Sequence, residues 1–465
     1  MNETIVSGGL KRAIWRSIVL PGIYALRKEP VVRELAFLEH TQWIASDQLK
    51  ALQREKLIKL LRHCRENVPF YKNRIPEDLL SREVDTDPVD ILARIPILEK
   101  PDVRCLARET AEHLKVLDKY VVRRTAGTSG QPLLVYADPL ANARSLAARA
   151  RCLGWFGVRI GDRECRLWGR SLSRTDKVKN SLKDVALNRI RVSVDDLEPM
   201  QIASTAQRIL RMQPDYLYGY ASMVFQFGEK LAELRGDADS RLKVVVLTSD
   251  TSSQHQRNRL TTALGCPVVD EFGCSEVDII AHQCPAGNYH IVAENVLLEV
   301  VPQANGDPNR GEVLLTDLNN MLMPLIRYRL GDEVVLKQGT CPCGRTLPMI
   351  SSVTGRMLYQ YFHLPSGRRV HSYLFEYFID DLLSAGVGIK QYQVEQIAFD
   401  QIIINLVLEE DTELNRKLVY ESLHARLLRE IGEGVEVEAR FHRQLLPKSG
   451  MKFECFQPLL DVTES

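Results

Sequence analysis

The sequence contains no apolar run long enough to cross a bilayer. Its most apolar N-terminal stretch, residues 14–26, carries Arg16, is broken by Pro21 and shows no signal-peptide cleavage pattern. It reads as a packing segment, with peripheral membrane contact as the alternative. A charge excess is missing as well. The 61 Lys and Arg stand against 60 Asp and Glu, a formal net charge of +1. That balance argues against a nucleic-acid partner, because dedicated binders carry a basic surplus. Ten cysteines in 465 residues are too sparse for the disulfide framework of a short secreted domain, so a reducing cytoplasm is the expected compartment. There is no internal repeat or low-complexity tract, and no Gly-Lys-Ser/Thr that would complete a Walker phosphate loop.

What is present is ordinary globular material, 45% hydrophobic and 26% charged, in a chain long enough for two or three domains. Residues 47–66 gather Leu49, Leu52, Leu57, Leu60 and Leu61 on one helical face, and the helix is expected to end before Val68-Pro69. Helical patterns at 139–153, 198–212 and 221–235 alternate with strand candidates at 133–136, 216–219 and 243–248. This predicts a layered α/β architecture with a largely parallel sheet. From about residue 290 the strands crowd together around turns such as Asn305-Gly306-Asp307-Pro308, the pattern of an antiparallel, barrel-like subdomain. A last block has strands at 391–398, 402–408 and 435–441 and a helix at 412–430, enough for a small α+β domain. The expected division is 1–355, with a β-rich subdomain at about 285–355, and 356–465.

Five short segments carry candidate chemistry. Thr125-Ala126-Gly127-Thr128-Ser129-Gly130 is small, hydroxyl-rich and glycine-punctuated. Its free N–H groups and hydroxyls suit an anion such as a nucleotide phosphate; an ordinary hairpin turn is the plain alternative. Asp270-Glu271-Phe272-Gly273-Cys274-Ser275-Glu276 ends an apolar strand with an aromatic, a glycine, a hydroxyl and a carboxylate. Phe272 can stack on a base, Gly273 allows close approach, and Glu276 suits Mg²⁺; a solvated acidic turn is the alternative. Asp332, after Gly331, can accept both hydroxyls of a ribose. Arg356 follows Gly355, and Lys452 lies on the glycine-containing run Pro447-Lys448-Ser449-Gly450-Met451. Both cations suit phosphate oxygens, or are plain surface charges.

A separate set, Cys284-Pro285, His290 and the Cys341-Pro342-Cys343-Gly344 knuckle, supplies four soft or borderline ligands on turns. Four such ligands suit a closed, structural, tetrahedral Zn²⁺ site. His282 competes with His290, and a pair of buried free thiols is the alternative.

Taken in order, Thr125–Gly130, Phe272–Glu276, Tyr328-Arg329-Leu330-Gly331-Asp332, Gly355-Arg356 and Lys452 resemble the adenylate-forming (AMP-forming acyl-CoA synthetase) superfamily. The resemblance is to its phenylacetate–coenzyme A ligase branch and the capsule-biosynthesis relatives, and it extends to residues 57–63, 68–71 and 217–222. It implies a large N-terminal domain binding ATP and a carboxylic acid, and a mobile C-terminal lid. The implied reaction joins a carboxylate to the α-phosphate of ATP and then passes the acyl group to coenzyme A. An amine or hydroxyl acceptor and a non-catalytic nucleotide-binding descendant remain alternatives. Carried over residue by residue, Thr125–Gly130 would hold the β- and γ-phosphates and Phe272 would stack near adenine. Ser275 would touch the α-phosphate and Glu276 would hold Mg²⁺. Asp332 would bind ribose with Arg356 nearby, and Lys452 would act in the first half-reaction, with Lys448 as fallback. The branch often shows a similar Cys/His set. The chain departs from the pattern at Ser249-Asp250, where relatives show Gly-Glu, at Met357 after the Gly-Arg hinge, and at Met451. Trp155, Phe156, Tyr218, Tyr220 and Met223 are the expected pocket residues and suggest an apolar or aromatic acid. Oligomeric state is left open, a homodimer included.

Overall fold

Segments rich in β-branched residues alternate with helices until the segment at Val268, and from there strands follow one another directly. The structure is a computed structural model. It describes residues 13–81, 86–114, 119–124, 134–167, 181, 183–192, 199–235, 241–248, 252–302, 307–354, 361–366, 369–371, 375, 378–379, 382, 385–423, 431, 434–445, 456–457 and 459. Chain contacts divide it into Met1–Thr354 and Gly355–Ser465.

In the first unit a run of helices precedes the strands, which begin with a hairpin, β1 (Val121–Arg124) and β2 (Leu134–Ala137), followed by β3 (Glu164–Leu167), β4 (Arg189–Val192), β5 (Tyr216–Tyr220), β6 (Val244–Thr248) and β7 (Val268–Cys274). Then come β8 (Asp278–Gln283), β9 (Tyr289–Ile291), β10 (Val296–Pro302), β11 (Arg310–Asp317), β12 (Tyr328–Lys337) and β13 (Met349–Thr354). Eleven of these form one sheet in the order β10-β11-β12-β13-β9-β8-β7-β6-β5-β3-β4. Strands β4, β3, β5, β6 and β7 run parallel. All pairings from β7 through β8, β9, β13, β12 and β11 to β10 are antiparallel. The barrel-like segment read from the sequence therefore continues the parallel half without a break. The strand at 133–136 was expected among the parallel strands; it pairs only with β1, antiparallel, in a two-stranded sheet of its own.

Strand β6, Val-Val-Val-Leu-Thr, is buried at every residue, as a parallel strand covered on both faces must be. Val245 and Leu247 pack with Ala206, Val224, Phe227 and Leu260 from the helices Pro199–Met212, Ala221–Arg235 and Gln254–Leu264. Val244 and Val246 pack on the opposite side with Leu153 and Val158. Crossing of β5 and β3 requires Gly219, because a Cβ there would lie 2.2 Å from the Leu167 carbonyl oxygen. The antiparallel half packs against the long helix Ser46–Asn67 through Leu49, Leu57, Leu60 and Leu61. No helix among the described residues is long and apolar enough to cross a membrane.

The second unit has a hairpin of β14 (Tyr361–His363) and β15 (Arg369–His371) and a sheet of β16 (Ile389–Ala398), β17 (Gln401–Leu408), β18 (Glu436–Phe441) and β19 (Phe456–Gln457) in the order β18-β17-β16-β19. Its core gathers Phe362, Phe375, Phe378, Val394, Ile404 and Leu406, with Val419 from the helix Glu413–Ser422.

Candidate active site and metal cluster

The sheet changes from parallel to antiparallel at β7, and ligand sites in α/β sheets lie beyond the carboxyl ends of the parallel strands. Strand β7 ends in Phe272-Gly273-Cys274 and turns back into β8 through Ser275-Glu276-Val277. The register slips between Phe272 and Gly273, and a Cβ at residue 273 would lie 2.4 Å from the Asp278 carbonyl oxygen. Glycine is what lets the two backbones close that tightly. Ser275 is left exposed, whereas Glu276 is 3% exposed. Its Oε1 accepts a hydrogen bond of 2.9 Å from the Tyr328 hydroxyl, and its Oε2 is buried with no partner among the described residues. A buried carboxylate oxygen without a donor is costly, and a cation is the partner that such an oxygen fits. Magnesium, which takes one or two carboxylates plus phosphate oxygens, meets that requirement.

Tyr328 opens β12, and Asp332 follows it after Gly331, which takes φ +83°. Burial pushes the Cys274 thiol far above its ordinary value, and the nearby carboxylates of Glu276 and Asp332 push it further. The metal and ribose candidates thus both lie near the half-buried Cys274. Arg123 in β1 donates to the Glu276 backbone carbonyl at 3.4 Å and to Ser145 Oγ at 3.2 Å. It carries the hairpin to the same turn, two residues before Thr125. Thr125, Gly127, Thr128, Ser129 and Gly130, together with Ser249, Asp250, Arg356, Lys448 and Lys452, lie outside the described residues. Arg123 belongs to no motif, and nothing in the sequence marks it.

The soft ligands converge. Cys284 Sγ is 3.6 Å from Cys341 Sγ, and His290 Nε2 is 3.2 Å from Cys343 Sγ. The four ligand atoms all fall within 4.8 Å of one another. Sulfurs bound at about 2.3 Å to a tetrahedral ion stand roughly 3.8 Å apart, so the spacing fits zinc. His290 Nδ1–H donates to the Leu347 carbonyl at 3.1 Å, which leaves Nε2 with its lone pair toward the cluster. Burial holds His290 down to about 4, hence neutral. Asn288 donates to Cys341 Sγ at 3.2 Å. His282 is not part of the cluster; its Nδ1 lies 2.7 Å from the Gln283 carbonyl and its ring packs near Trp155 and Phe156.

No family model matches the sequence. The phenylacetate–coenzyme A ligase of Thermus thermophilus is 25% identical over 439 residues, covering 85% of this chain and 87% of that one. The Escherichia coli phenylacetate–coenzyme A ligase is 27% identical over 339 residues, 69% of this chain and 74% of that one. Among solved structures, 2-hydroxyisobutyryl-CoA ligase in its postadenylation state superposes with a TM-score of 0.67 at 18% identity, covering 90% of this chain and 91% of the other. The chain is similar in sequence to the phenylacetate–coenzyme A ligases and shares the fold of 2-hydroxyisobutyryl-CoA ligase.

The strand leading to the turn is more polar than its apolar context suggests. Asp270 accepts 2.6 Å from the Tyr289 hydroxyl, and burial raises its carboxyl. Glu271 accepts 2.6 Å from the Tyr218 hydroxyl and 3.3 Å from Arg149 Nε, and Arg149 also donates to Asp278 at 2.5 Å. Phe272 is buried in the main core. The five expected pocket residues fall into two groups, Tyr220 beside Met223 and Phe156 beside Tyr218, with Trp155 next to Phe156 at His282. Met223 is in the core with the helices, Trp155 and Phe156 flank His282, and Tyr218 lies between the guanidiniums of Arg149 and Arg166, at 5.2 and 5.1 Å from its ring centre. Arg166 pairs with Glu164, which also accepts 2.9 Å from Arg189 and 3.3 Å from the Tyr216 hydroxyl.

Burial alone would raise the Glu164 carboxyl, but Arg166 and Arg189 overcome it and bring the group down to about 2. A carboxyl depressed in the folded state contributes stability above its unfolded pKa, about 4.5, and loses that contribution as pH falls toward 2. The Glu164→Gln variant is therefore expected to be less stable than the parent by on the order of 3 kcal/mol at neutral pH, at 1.36 kcal/mol per pKa unit. In urea unfolding the gap should narrow by more than half by about pH 3. A gap independent of pH would mean that Glu164 is not held as a paired anion.

Proposed function

We propose that the chain is an AMP-forming carboxylate ligase that makes an acyl-adenylate from a carboxylic acid and ATP and transfers the acyl group to coenzyme A. The observation that carries the reading is Glu276, one oxygen tied to Tyr328 and the other buried and unpartnered, at the carboxyl end of the last parallel strand. In the first step a carboxylate oxygen forms a bond to the α-phosphorus, and the bond to the pyrophosphate oxygen breaks with its electron pair. In the second, the sulfur of the coenzyme A thiolate bonds to the acyl carbon, the bond to AMP breaks, and the thiol proton passes to water. When bound at Glu276, Mg²⁺ screens phosphate charge that otherwise repels the incoming anion. Tyr328 orients the Glu276 carboxylate, the Ser275 hydroxyl is free to donate to the α-phosphate, and Asp332 accepts from ribose. By the resemblance, Thr125–Gly130 would hold the β- and γ-phosphates, Phe272 would serve the base and Arg356 the ribose. Lys452 supplies the cation that meets charge growing on the attacked phosphate. The similarity to the two phenylacetate–coenzyme A ligases supports this reading.

The structural metal is zinc, held by Cys284, His290, Cys341 and Cys343. Four protein ligands leave no open position for chemistry. The site joins the β8–β9 turn to the β12–β13 connection and so supports the fold.

Pyrophosphate release across a panel of carboxylic acids, with and without coenzyme A, tests the reading directly. Glu276→Gln should lower it at least about a hundredfold, the scale of one lost preorganised electrostatic contact. Tyr328→Phe should lower it less, since the carboxylate remains but turns more freely. Unchanged turnover in Glu276→Gln would refute the assignment.

Lys452→Ala should cost on the order of 3 kcal/mol in adenylation and leave consumption of a supplied acyl-adenylate nearly intact. If only Lys448→Ala loses adenylation, the acting lysine is four residues earlier.

Metal analysis of purified protein should give about one zinc per chain. Cys341→Ser should release it and lower the thermal midpoint, because metal binding is coupled to folding. A metal-free protein with full stability would remove the structural role.

A further inference from the structure

The Glu276 turn has a second support besides Tyr328, and this one grips the main chain instead of the carboxylate. Arg123 lies in β1, opposite Val135 of β2. Val135 is buried in the main core with Phe272 and Val277, which bracket Glu276. Directly opposite residues share a face of a strand pair, so the Arg123 side chain leaves the hairpin on that packed side. Its guanidinium donates 3.4 Å to the Glu276 carbonyl and 3.2 Å to Ser145 Oγ. Ser145 is buried in the helix Pro139–Gly154, and its own hydroxyl proton goes to the Ala141 carbonyl at 3.2 Å. It therefore meets the guanidinium as an acceptor. One planar fork joins a strand, a turn and a helix, and its donors are fixed relative to one another in a way that a compact ammonium's are not.

What Arg123 leaves alone matters as much. The carboxylates that feel its charge have their own partners: Arg149 donates to Asp278 at 2.5 Å, and the Asn319 N–H donates to Asp317 at 2.9 Å. Glu276 Oε2 belongs to the residue whose carbonyl Arg123 grips, yet it stays without a partner among the described residues. A side-chain cation on that oxygen would neutralise it and compete with a metal ion. A cation on the backbone carbonyl instead fixes where the carboxylate stands and leaves its charge in place. Tyr328, a neutral phenol, likewise orients the carboxylate without neutralising it. Groups that hold a ligating residue from behind are a regular part of metal sites, because an ion binds more tightly to a ligand that is already placed.

We infer that Arg123 is a positioning residue for the divalent cation, fixing the Glu276 turn so that its unpartnered carboxylate oxygen is in place when the metal–nucleotide arrives. This rests on the ligase reading, and its test separates the two. ATP is titrated into the full chain by calorimetry at a series of Mg²⁺ concentrations without any acid, and pyrophosphate release with acid is followed over the same series. In Arg123→Met, which keeps the stem and removes the fork, the Mg²⁺ concentration for half-maximal effect should rise at least about tenfold in both measurements, the scale of a lost outer-shell partner. The rate at saturating Mg²⁺ should fall much less. Arg123→Lys should recover part of the shift, and Ser145→Ala, which leaves Arg123 itself in place, should move the Mg²⁺ dependence in the same direction by a smaller factor. An Mg²⁺ dependence unchanged in both Arg123→Met and Ser145→Ala, or a lowered thermal midpoint as the only effect, would overturn the proposal and leave the ligase reading standing. A parent protein that neither binds ATP nor releases pyrophosphate would remove that reading, and the proposal with it.

Discussion

The hydrogen bond from Tyr328 to Glu276 is the constraint from which the site's geometry follows. In the sheet order, β13, β9 and β8 lie between β12 and β7. Four strand spacings in a flat sheet amount to about 19 Å, more than a tyrosine and a glutamate side chain can span. The 2.9 Å bond therefore requires the antiparallel half to curl back on itself and return the start of β12 to the end of β7. The curl has supports. Leu98 bridges β12 by donating to the Arg327 carbonyl and accepting from the Arg329 N–H, each at 3.0 Å. The Tyr71 hydroxyl donates 2.8 Å to the Pro324 carbonyl. Arg327, at φ +53°, is held by Glu299 and by the Ile95 carbonyl. Segments far away in sequence, among them the connection between the helices Pro88–Leu92 and Lys100–His113, thus fix the strand that orients the carboxylate.

The Cys/His cluster answers a second weakness in the same sheet. Strand β9 has three residues and meets β13 through two register pairs, Met349 with His290 and Ile350 with Tyr289. So short a seam contributes few hydrogen bonds, yet it joins β7 and β8 to β12. All four ligands lie beside it, two from the β8–β9 turn region and two from the β12–β13 connection. The knuckle also reaches outward: Arg345 lies 4.6 Å from the Trp155 ring centre and 5.1 Å from that of Trp43, and it shares Gln42 Oε1 with the Trp155 indole N–H. A metal there would act on the seam, on the end of the helix Pro139–Gly154 and on the turn after the helix Val31–Thr41 together.

Helices with plain periodicity were legible. Residues 47–66 became Ser46–Asn67, and 198–212 and 221–235 matched Pro199–Met212 and Ala221–Arg235. Strands β3 and β4 were not, because Glu-Cys-Arg-Leu and Arg-Ile-Arg-Val look like exposed, charged segments. Their charges are taken up in pairs, Glu164 with Arg166 and Arg189, and Asp184, outside the strands, with Arg189 and Arg191, a pairing that no single strand displays. Ligand type and turn context single out Cys284, His290, Cys341 and Cys343, and the fold brings their ligand atoms within 4.8 Å of one another. Glu276, Tyr328 and Asp332 were each visible inside a motif, but the bond between Tyr328 and Glu276 depends on sheet curvature, which sequence spacing does not encode. Arg123 and Arg149 escaped notice because an arginine acquires a role only from what folds against it.

The same dependence separates two kinds of buried charge in this molecule. Arg151 and Glu294 are almost fully enclosed, paired at 2.5 Å, with Thr41 Oγ1 adding 2.7 Å to the same carboxylate oxygen. Glu294 Oε2 and Arg151 Nε and Nη2 lack partners among the described residues. Isolated pairs of this kind contribute little net stability, since desolvation offsets attraction, but losing one member strands the other. Here each oxygen-bearing group already faces an arginine, so the leftover valence is the residue of an internal neutralisation. The Glu276 carboxylate differs in kind: among the described residues its hydrogen-bond partner is a neutral phenol, and Arg123 reaches its backbone carbonyl, not the carboxylate. Two buried glutamates with an unpartnered oxygen thus have different meanings. One belongs to a closed pair that locks a helix to the sheet. The other presents an oxygen with no partner among the described residues, at the turn where the parallel strands end.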